Sequence, residues 1–254
     1  MITTQSWNQH GETLVNSLME AYEGEFVFIL YTRNRRPNEI EVGRRIITDI
    51  CNPLNGVIRM TVALNNGSVY HRDITFIAAP NFPIGIENRN YDWQKVQLLY
   101  SANNPFWYDE NEIIESFRGS EPLFKFPFSM SISNPVIFGE VTPSNIAFNY
   151  GQVEAPVEIE IKGACVNPRI TNETTGEFIA FKNLTMGAND VLIIQTAFGE
   201  KKVALNNQNV FNKLDFNSTF FSLAIGANAI DFKDDSGNPD ARISFVYKNL
   251  YVTI

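Results

Sequence analysis

Several things are scarce in this chain of 254 residues. It has two cysteines, Cys51 and Cys165, one in each half. That excludes a disulfide framework, and without a Cys-x-x-Cys spacing both thiols read as small buried hydrophobes in a reducing compartment. It has two histidines, His10 and His71, far apart and outside any His-Glu-x-x-His spacing, so neither zinc chemistry nor histidine catalysis is expected. There is no Gly-x-Ser-x-Gly elbow and no phosphate loop. Positive charge is also in deficit: the net charge is −8. Each half carries −4, with 11 basic and 15 acidic groups in residues 1–127 and 9 and 13 in residues 128–254. A protein that grips nucleic acid by its phosphates would be basic. No apolar run approaches a membrane span. The opening Met1–Trp7 has neither a basic nor an apolar signal region, so no secretory leader is expected. The second half contains no tryptophan.

Phenylalanine is abundant, with 20 copies. Short runs of Phe, Val, Ile and Thr separated by Gly, Pro and Asn predict a mainly β chain. Residues 1–11 read as a polar arm. Glu25–Thr32 is the strongest strand of the first half, too continuously apolar for an exposed sheet face. Glu23-Gly24 before it reads as a turn. Asn38–Cys51 is the one helix expected, with Asn38 and Glu41 at capping-box spacing and Ile40, Ile47 and Cys51 on one face. Asn52-Pro53 stops it. Val57–Leu64 and Val69–Ala78 read as a hairpin around Asn66-Gly67.

Asp92–Glu110 organises the chain. A strand containing Trp93, Val96, Leu98 and Tyr100 is broken at Asn103-Asn104-Pro105, because proline lacks an N–H and restricts the residue before it. Phe106, Trp107 and Tyr108 then read as an aromatic plug closing the first domain, with Trp107 largely buried. From Ile113 to Ser129 the chain is punctuated by Gly and Pro, with Phe124, Phe126 and Phe128 alternating. This places the boundary at 125/126, giving a domain 1–125 and a domain 126–254. Beyond it, nine strand signals recur at the spacing of a β-sandwich. In one of them Val157, Ile159 and Ile161 alternate with Glu158, Glu160 and Lys162, predicting one wet face.

The order of these features resembles the distal tail proteins of long-tailed, non-contractile bacteriophages. The matching residues are Ile50-Cys-Asn-Pro-Leu-Asn-Gly56, the strand into Asn104-Pro-Phe-Trp-Tyr-Asp109, Asn167-Pro-Arg-Ile-Thr-Asn172, Thr174-Thr-Gly176 and Ser218–Asn228. The resemblance implies a β-rich ring domain with one helix, followed by a galectin-like or carbohydrate-module-like β-sandwich. It implies a non-enzymatic structural protein of the virion tail tip, assembled in the bacterial cytoplasm as a homo-hexamer. Its implied partners are the tail tube protein, the tail-tip protein, the tape-measure protein and a receptor-binding protein. DNA would be only passing cargo, with no cofactor, metal or membrane involved. Inter-subunit contacts are expected between Arg33, Arg35 or Arg36 of one copy and Glu110 or Glu112 of the next.

Two other functions compete. A carbohydrate-binding adhesion module would use exposed aromatics, with Tyr150, Tyr247 and Tyr251 available. A glycan-acting enzyme would need opposed carboxylates in a cleft, whereas Glu158 and Glu160 share one alternating strand face. Asp231–Asp240 is rich in oxygen ligands but lacks the spacing and closing glutamate of a calcium loop, so it reads as a polar hairpin turn.

Overall fold

The computed structural model describes residues 2–4, 13–16, 19–32, 37–118, 121–122, 140–141, 145–236 and 241–254. The chain forms two compact units, Met1–Trp107 with Thr253–Ile254, and Tyr108–Val252. It is mainly β, with one α-helix among the described residues.

The first unit contains β1 (Tyr22–Tyr31), α1 (Pro37–Ile50), β2 (Ile58–Ala63), β3 (Val69–Phe76) and β4 (Trp93–Ala102). The β2–β3 hairpin follows the sequence expectation. Gly67 has φ +87°, which a glycine adopts without steric cost, and its N–H donates to the Leu64 carbonyl at 3.0 Å. β4 pairs with β1 over all ten residues and with the end of β3. Val96, Leu98, Tyr100 and Ala102 of β4 are buried with Ile74, Phe76 and Cys51. Gln94 shares that buried side at 1% exposure, and its Nε2 donates to the Pro83 and Lys95 carbonyls at 3.0 Å. This amide ties down the loop that a hydrophobic pattern alone would leave loose.

Gly24 lies inside β1 and is not a turn. It stands in register with Tyr100, and an added Cβ would fall 2.4 Å from that ring. The ring covers the missing side chain and also stacks on Phe26 at 4.6 Å. Tyr100 is buried and cannot easily move aside, so Gly24→Ala should destabilise the first unit by about 1–3 kcal/mol, as overpacking does. Chemical denaturation read through the tryptophans of this unit checks it; an unchanged midpoint would show that Tyr100 swings clear.

The second unit is a two-sheet sandwich. Its strands are β5 (Ile113–Arg118), β6 (Ile146–Asn149), β7 (Ala155–Lys162), β8 (Arg169–Asn172), β9 (Glu177–Ala180), β10 (Val191–Gln195), β11 (Lys202–Leu205), β12 (Gly226–Lys233) and β13 (Arg242–Tyr247). One sheet runs β11-β10-β7-β13-β5 and the other β6-β12-β8-β9. Val157, Ile159 and Ile161 face the core with Leu192, Ile194, Ile243 and Phe245 of the first sheet and Ile170, Ile179, Ile230 and Phe232 of the second. Glu158 and Glu160 lie on the solvent side, as the alternation predicts. Glu158 accepts from Gln195 at 2.8 Å, and Glu160 pairs with Lys162 at 2.8 Å.

The two compact units divide at Trp107/Tyr108. Ile113–Arg118, on the first-domain side of the 125/126 boundary read from the sequence, is strand β5, registered along β13 from Ile113↔Tyr247 to Arg118↔Arg242. Residues 125/126, and Phe124, Phe126 and Phe128, lie outside the described residues.

Candidate assembly interface

β1 is the outermost strand of its sheet. Its partner β4 satisfies one edge, and among the described residues nothing pairs with the other. Ten residues of strand span roughly 33 Å, so a long row of backbone donors and acceptors is open to a further strand. Contrary to the expectation of a fully covered strand, Val27, Phe28, Ile29 and Tyr31 are exposed. Phe26 and Leu30 pack on the core. The run is thus apolar on both sides although only one side is covered among the described residues.

Helix α1 repeats this arrangement. It starts at Pro37, one residue before the expected cap, so Asn38 lies in its first turn. Ile40 and Cys51 are buried and Ile47 packs on the core. Gly43 lets the helix approach β1, since a Cβ there would lie 2.8 Å from a Leu30 methyl. A second stripe, Val42, Ile46 and Ile50, is exposed at i, i+4, i+8 spacing and is extended by exposed Leu54 and Val57.

The first unit also holds a buried cation that the sequence did not point to. Arg72 is 4% exposed, and its guanidinium sits 4.1 Å from the Trp107 ring centroid and 4.8 Å from that of Tyr22. Its Nε has no hydrogen-bond partner among the described residues. Desolvation pulls its pKa below the ordinary value, and the nearby Tyr100 and Tyr22 oppose that fall. The aromatic faces therefore do the work of a counter-ion. Beside it, buried His71 shares a 2.9 Å hydrogen bond with Thr61, so it is a satisfied core histidine. His10 lies outside the described residues.

The aromatic triplet is half-buried rather than fully covered. Asn104 turns the chain by accepting from the Phe106 N–H at 3.2 Å, and Pro105 is buried. Trp107 meets Arg72 in the first unit, whereas Tyr108 meets the Lys248 ammonium at 4.9 Å in the second. Glu110 is exposed, and Glu112 lies 3.7 Å from Lys248. Arg33, Arg35 and Arg36 lie outside the described residues.

In the second unit the quoted motifs are polar ties. Asn228 is fully buried; its Nδ2 donates to the Ala224 and Gly226 carbonyls, and its Oδ1 accepts from the Ala224 N–H and from Asn172. Thr174 accepts from the Ala229 N–H at 3.0 Å. Asn167, at φ +48°, accepts from Leu184 N–H and donates to Asp235. Asp234 accepts from the Val166 N–H and from Ser236, so these two acidic side chains brace a turn; residues 237–240 lie outside the described residues. Among the described residues no group of three or more His, Cys, Asp or Glu is placed to hold a metal. Burial, aided by Asp234, pushes the Cys165 thiol up to about 12, and burial raises that of Cys51. Of the tyrosines considered for sugar stacking, Tyr150 is exposed. Tyr247 is buried, with the Glu115 carboxylate at 3.1 Å and the Phe148 carbonyl at 3.0 Å sharing its one hydroxyl proton, and Tyr251 donates to Asp109. No helix among the described residues is long and apolar enough to cross a membrane.

Comparison with known proteins agrees with this architecture. Residues 150–251 match the family model for the siphovirus-type tail component, C-terminal domain. No curated protein matches the chain. Among solved structures, a chain of the phage P2 baseplate in its activated conformation with Ca shares the fold at a TM-score of 0.51 and 13% identity. That match covers 99% of this chain and 86% of that one. A chain of the phage p2 baseplate in its activated conformation with Sr gives a TM-score of 0.45 and 10% identity, over 96% and 84%.

Proposed function

From the premise that the chain is a distal tail protein, a structural component of the phage tail carried in the virion, we propose that it forms the ring hub at the tail's distal end. The first unit closes the ring, and the second is a galectin-like sandwich carried by it. The observation behind this reading is the unpaired edge of β1 with Val27, Ile29 and Tyr31 exposed beside it. A native chain must cover such an edge, and one heterologous contact repeated around an axis does so without leaving a free end. Six copies, joined to the tube, tape-measure and tail-tip proteins and to a receptor-binding protein, would leave a lumen for duplex DNA. An acidic wall lets phosphates pass unheld. Arg33, Arg35 or Arg36 would meet Glu110 or Glu112 across the subunit boundary.

The double change Val27→Glu, Ile29→Glu tests this. Both side chains are exposed, so the melting temperature of the isolated chain should hold, within the roughly ±0.5 kcal/mol usual for surface changes. Rings seen by electron microscopy of assembled tails, or by light scattering at micromolar concentration, should disappear. One copy per tail, or a lumen lined mainly by Lys and Arg, would overturn the ring.

A second reading, glycan binding by the sandwich, is supported by exposed Tyr150, whose ring lies 4.2 Å from that of Phe148. A glycan array on the purified protein distinguishes the two.

A further inference from the structure

Fully exposed phenylalanine on a well-anchored loop needs an explanation, because water penalises the ring and rigidity prevents it from folding away. Phe216 is such a residue. It lies in Phe211–Phe220, whose ends are drawn together by the stacked rings of Phe211 and Phe220, 5.7 Å apart and 16° from parallel. This is an Ω-type loop closed by its own side chains.

The loop is held on both flanks of Phe216. On one flank Lys182 N–H donates to the Lys213 carbonyl and Asp215 N–H to that of Ala180, both at 2.8 Å, while Leu214 packs on the core. On the other flank Ser218 Oγ accepts from the Ala180 N–H at 3.0 Å and donates to the Ala180 carbonyl, and Thr219 N–H donates to Phe178 at 2.8 Å. Between them Asp215 accepts from the Asn217 N–H and pairs with Lys182 at 2.8 Å. None of these contacts involves the Phe216 ring. The loop backbone on either side of the ring is held in place, so the loop's share of the ordering cost of binding is met before a partner arrives.

The surroundings specify that partner's chemistry. Lys201 lies 5.4 Å from the Phe220 ring, and Lys213 is in the loop itself; neither has an ion-pair partner among the described residues. Phe198, also fully exposed, sits three residues before Lys201 in the turn between β10 and β11. In a chain of net charge −8, this is an aromatic knob on a loop that carries Lys213, with Lys201 against its closing Phe220 ring.

We propose that Phe216 is an anchor that enters an apolar, carboxylate-rimmed pocket on another protein of the tail. The inference rests on the chain being a tail component and is independent of the ring. Exposed aromatic anchors flanked by complementary charge are the residues on which interface affinity concentrates.

The test replaces Phe216 with photoreactive benzoylphenylalanine in the phage-encoded protein and irradiates whole virions. Lys162, exposed on the solvent face of β7, serves as the control position. A covalent adduct to one other tail protein at 216 and not at 162 is expected. Phe216→Ala should leave the melting curve of the purified chain unchanged and reduce infectious titre or partner content at least tenfold. Phe216→Leu should restore much of it, and Lys201→Glu with Lys213→Glu should weaken the contact in a salt-dependent way. An adduct pattern matching the control, or an adduct only to another copy of this chain, would overturn the proposal. So would a Phe216→Ala variant that melts early, or binding of the purified chain to phosphatidylglycerol vesicles that Phe216→Ala abolishes.

Discussion

Asn228→Ala should cost the second unit about 4 kcal/mol and lower its melting temperature by roughly 10 °C. Asn228 is 0% exposed and serves four partners at once. It holds both backbone groups of Ala224, at 2.9 Å from the N–H and 2.8 Å to the carbonyl, as well as the Gly226 carbonyl and the Asn172 amide at 3.1 Å. Alanine removes all of these without letting water in, and each orphaned buried group costs about 1–3 kcal/mol. Asn228→Asp should be worse, because it keeps the acceptor, loses the donor and buries a charge. Asn172→Ala should cost less, since it removes the bond to Asn228 and the acceptor for the Thr174 N–H and leaves the Ala224 clasp intact. Thermal melts followed by circular dichroism give the ranking. An Asn228→Ala protein that melts within 2 °C of the parent would show that the motif has another purpose.

This residue also shows what the sequence could and could not convey. Ser218–Asn228 was visible as a motif, and Asn228 was visible as a residue in it. That its amide would clasp the turn four residues back depends on two strands meeting, β12 along β6 and along β8, which no local pattern encodes. Where one local rule governs, the reading worked: the Asn66-Gly67 hairpin, the break at Asn104-Pro105 and the alternation of β7 are each decided within a few residues. It failed where a distant side chain decides. Gly24 looked like a turn because glycine usually supplies one, yet Tyr100, across the ladder, is what fills its place. Gln94 is another such case: a polar residue in a strand ordinarily faces water, yet its amide faces inward to satisfy the Pro83–Asn88 loop.

The interface was legible only in part. The apolar run of β1 was evident, but periodicity cannot say that one of its sides is left open; that needs the strand order. The helix pattern showed Ile40, Ile47 and Cys51 as a core face. Val42, Ile46 and Ile50 form a second, exposed stripe once the first is committed to the core. Arg72 gave no sign at all. An arginine in an alternating strand normally points to water, and only the arrival of Tyr22 and Trp107 from other segments makes its burial tolerable. Phe216 was one of many phenylalanines, and nothing in its neighbours foretold that the loop's hydrogen bonds would all pass it by.

A fragment beginning at Tyr108 should fold, and one beginning at residue 130 should not. β5 pairs with β13 over six residues and closes the edge of the larger sheet. Phe117 is buried by that pairing and meets the Phe245 ring edge-on at 5.2 Å. Ser116 and Ser244 share a hydrogen bond at 3.0 Å, and Glu115 accepts from the buried Tyr247 hydroxyl at 3.1 Å. Removing β5 deletes a core phenylalanine, a loss of about 3–5 kcal/mol by itself. It also leaves Tyr247 without one of its two acceptors and exposes β13 as a new apolar edge open to other chains. Those losses together are comparable to the whole stability of a domain this size. Expressed alone, 108–254 should be a soluble, β-rich species with one cooperative melt. The shorter 130–254 should be insoluble or lack a melting transition. If 130–254 melts like 108–254, β5 is an accessory strand, and the division of the chain belongs near residue 125 after all.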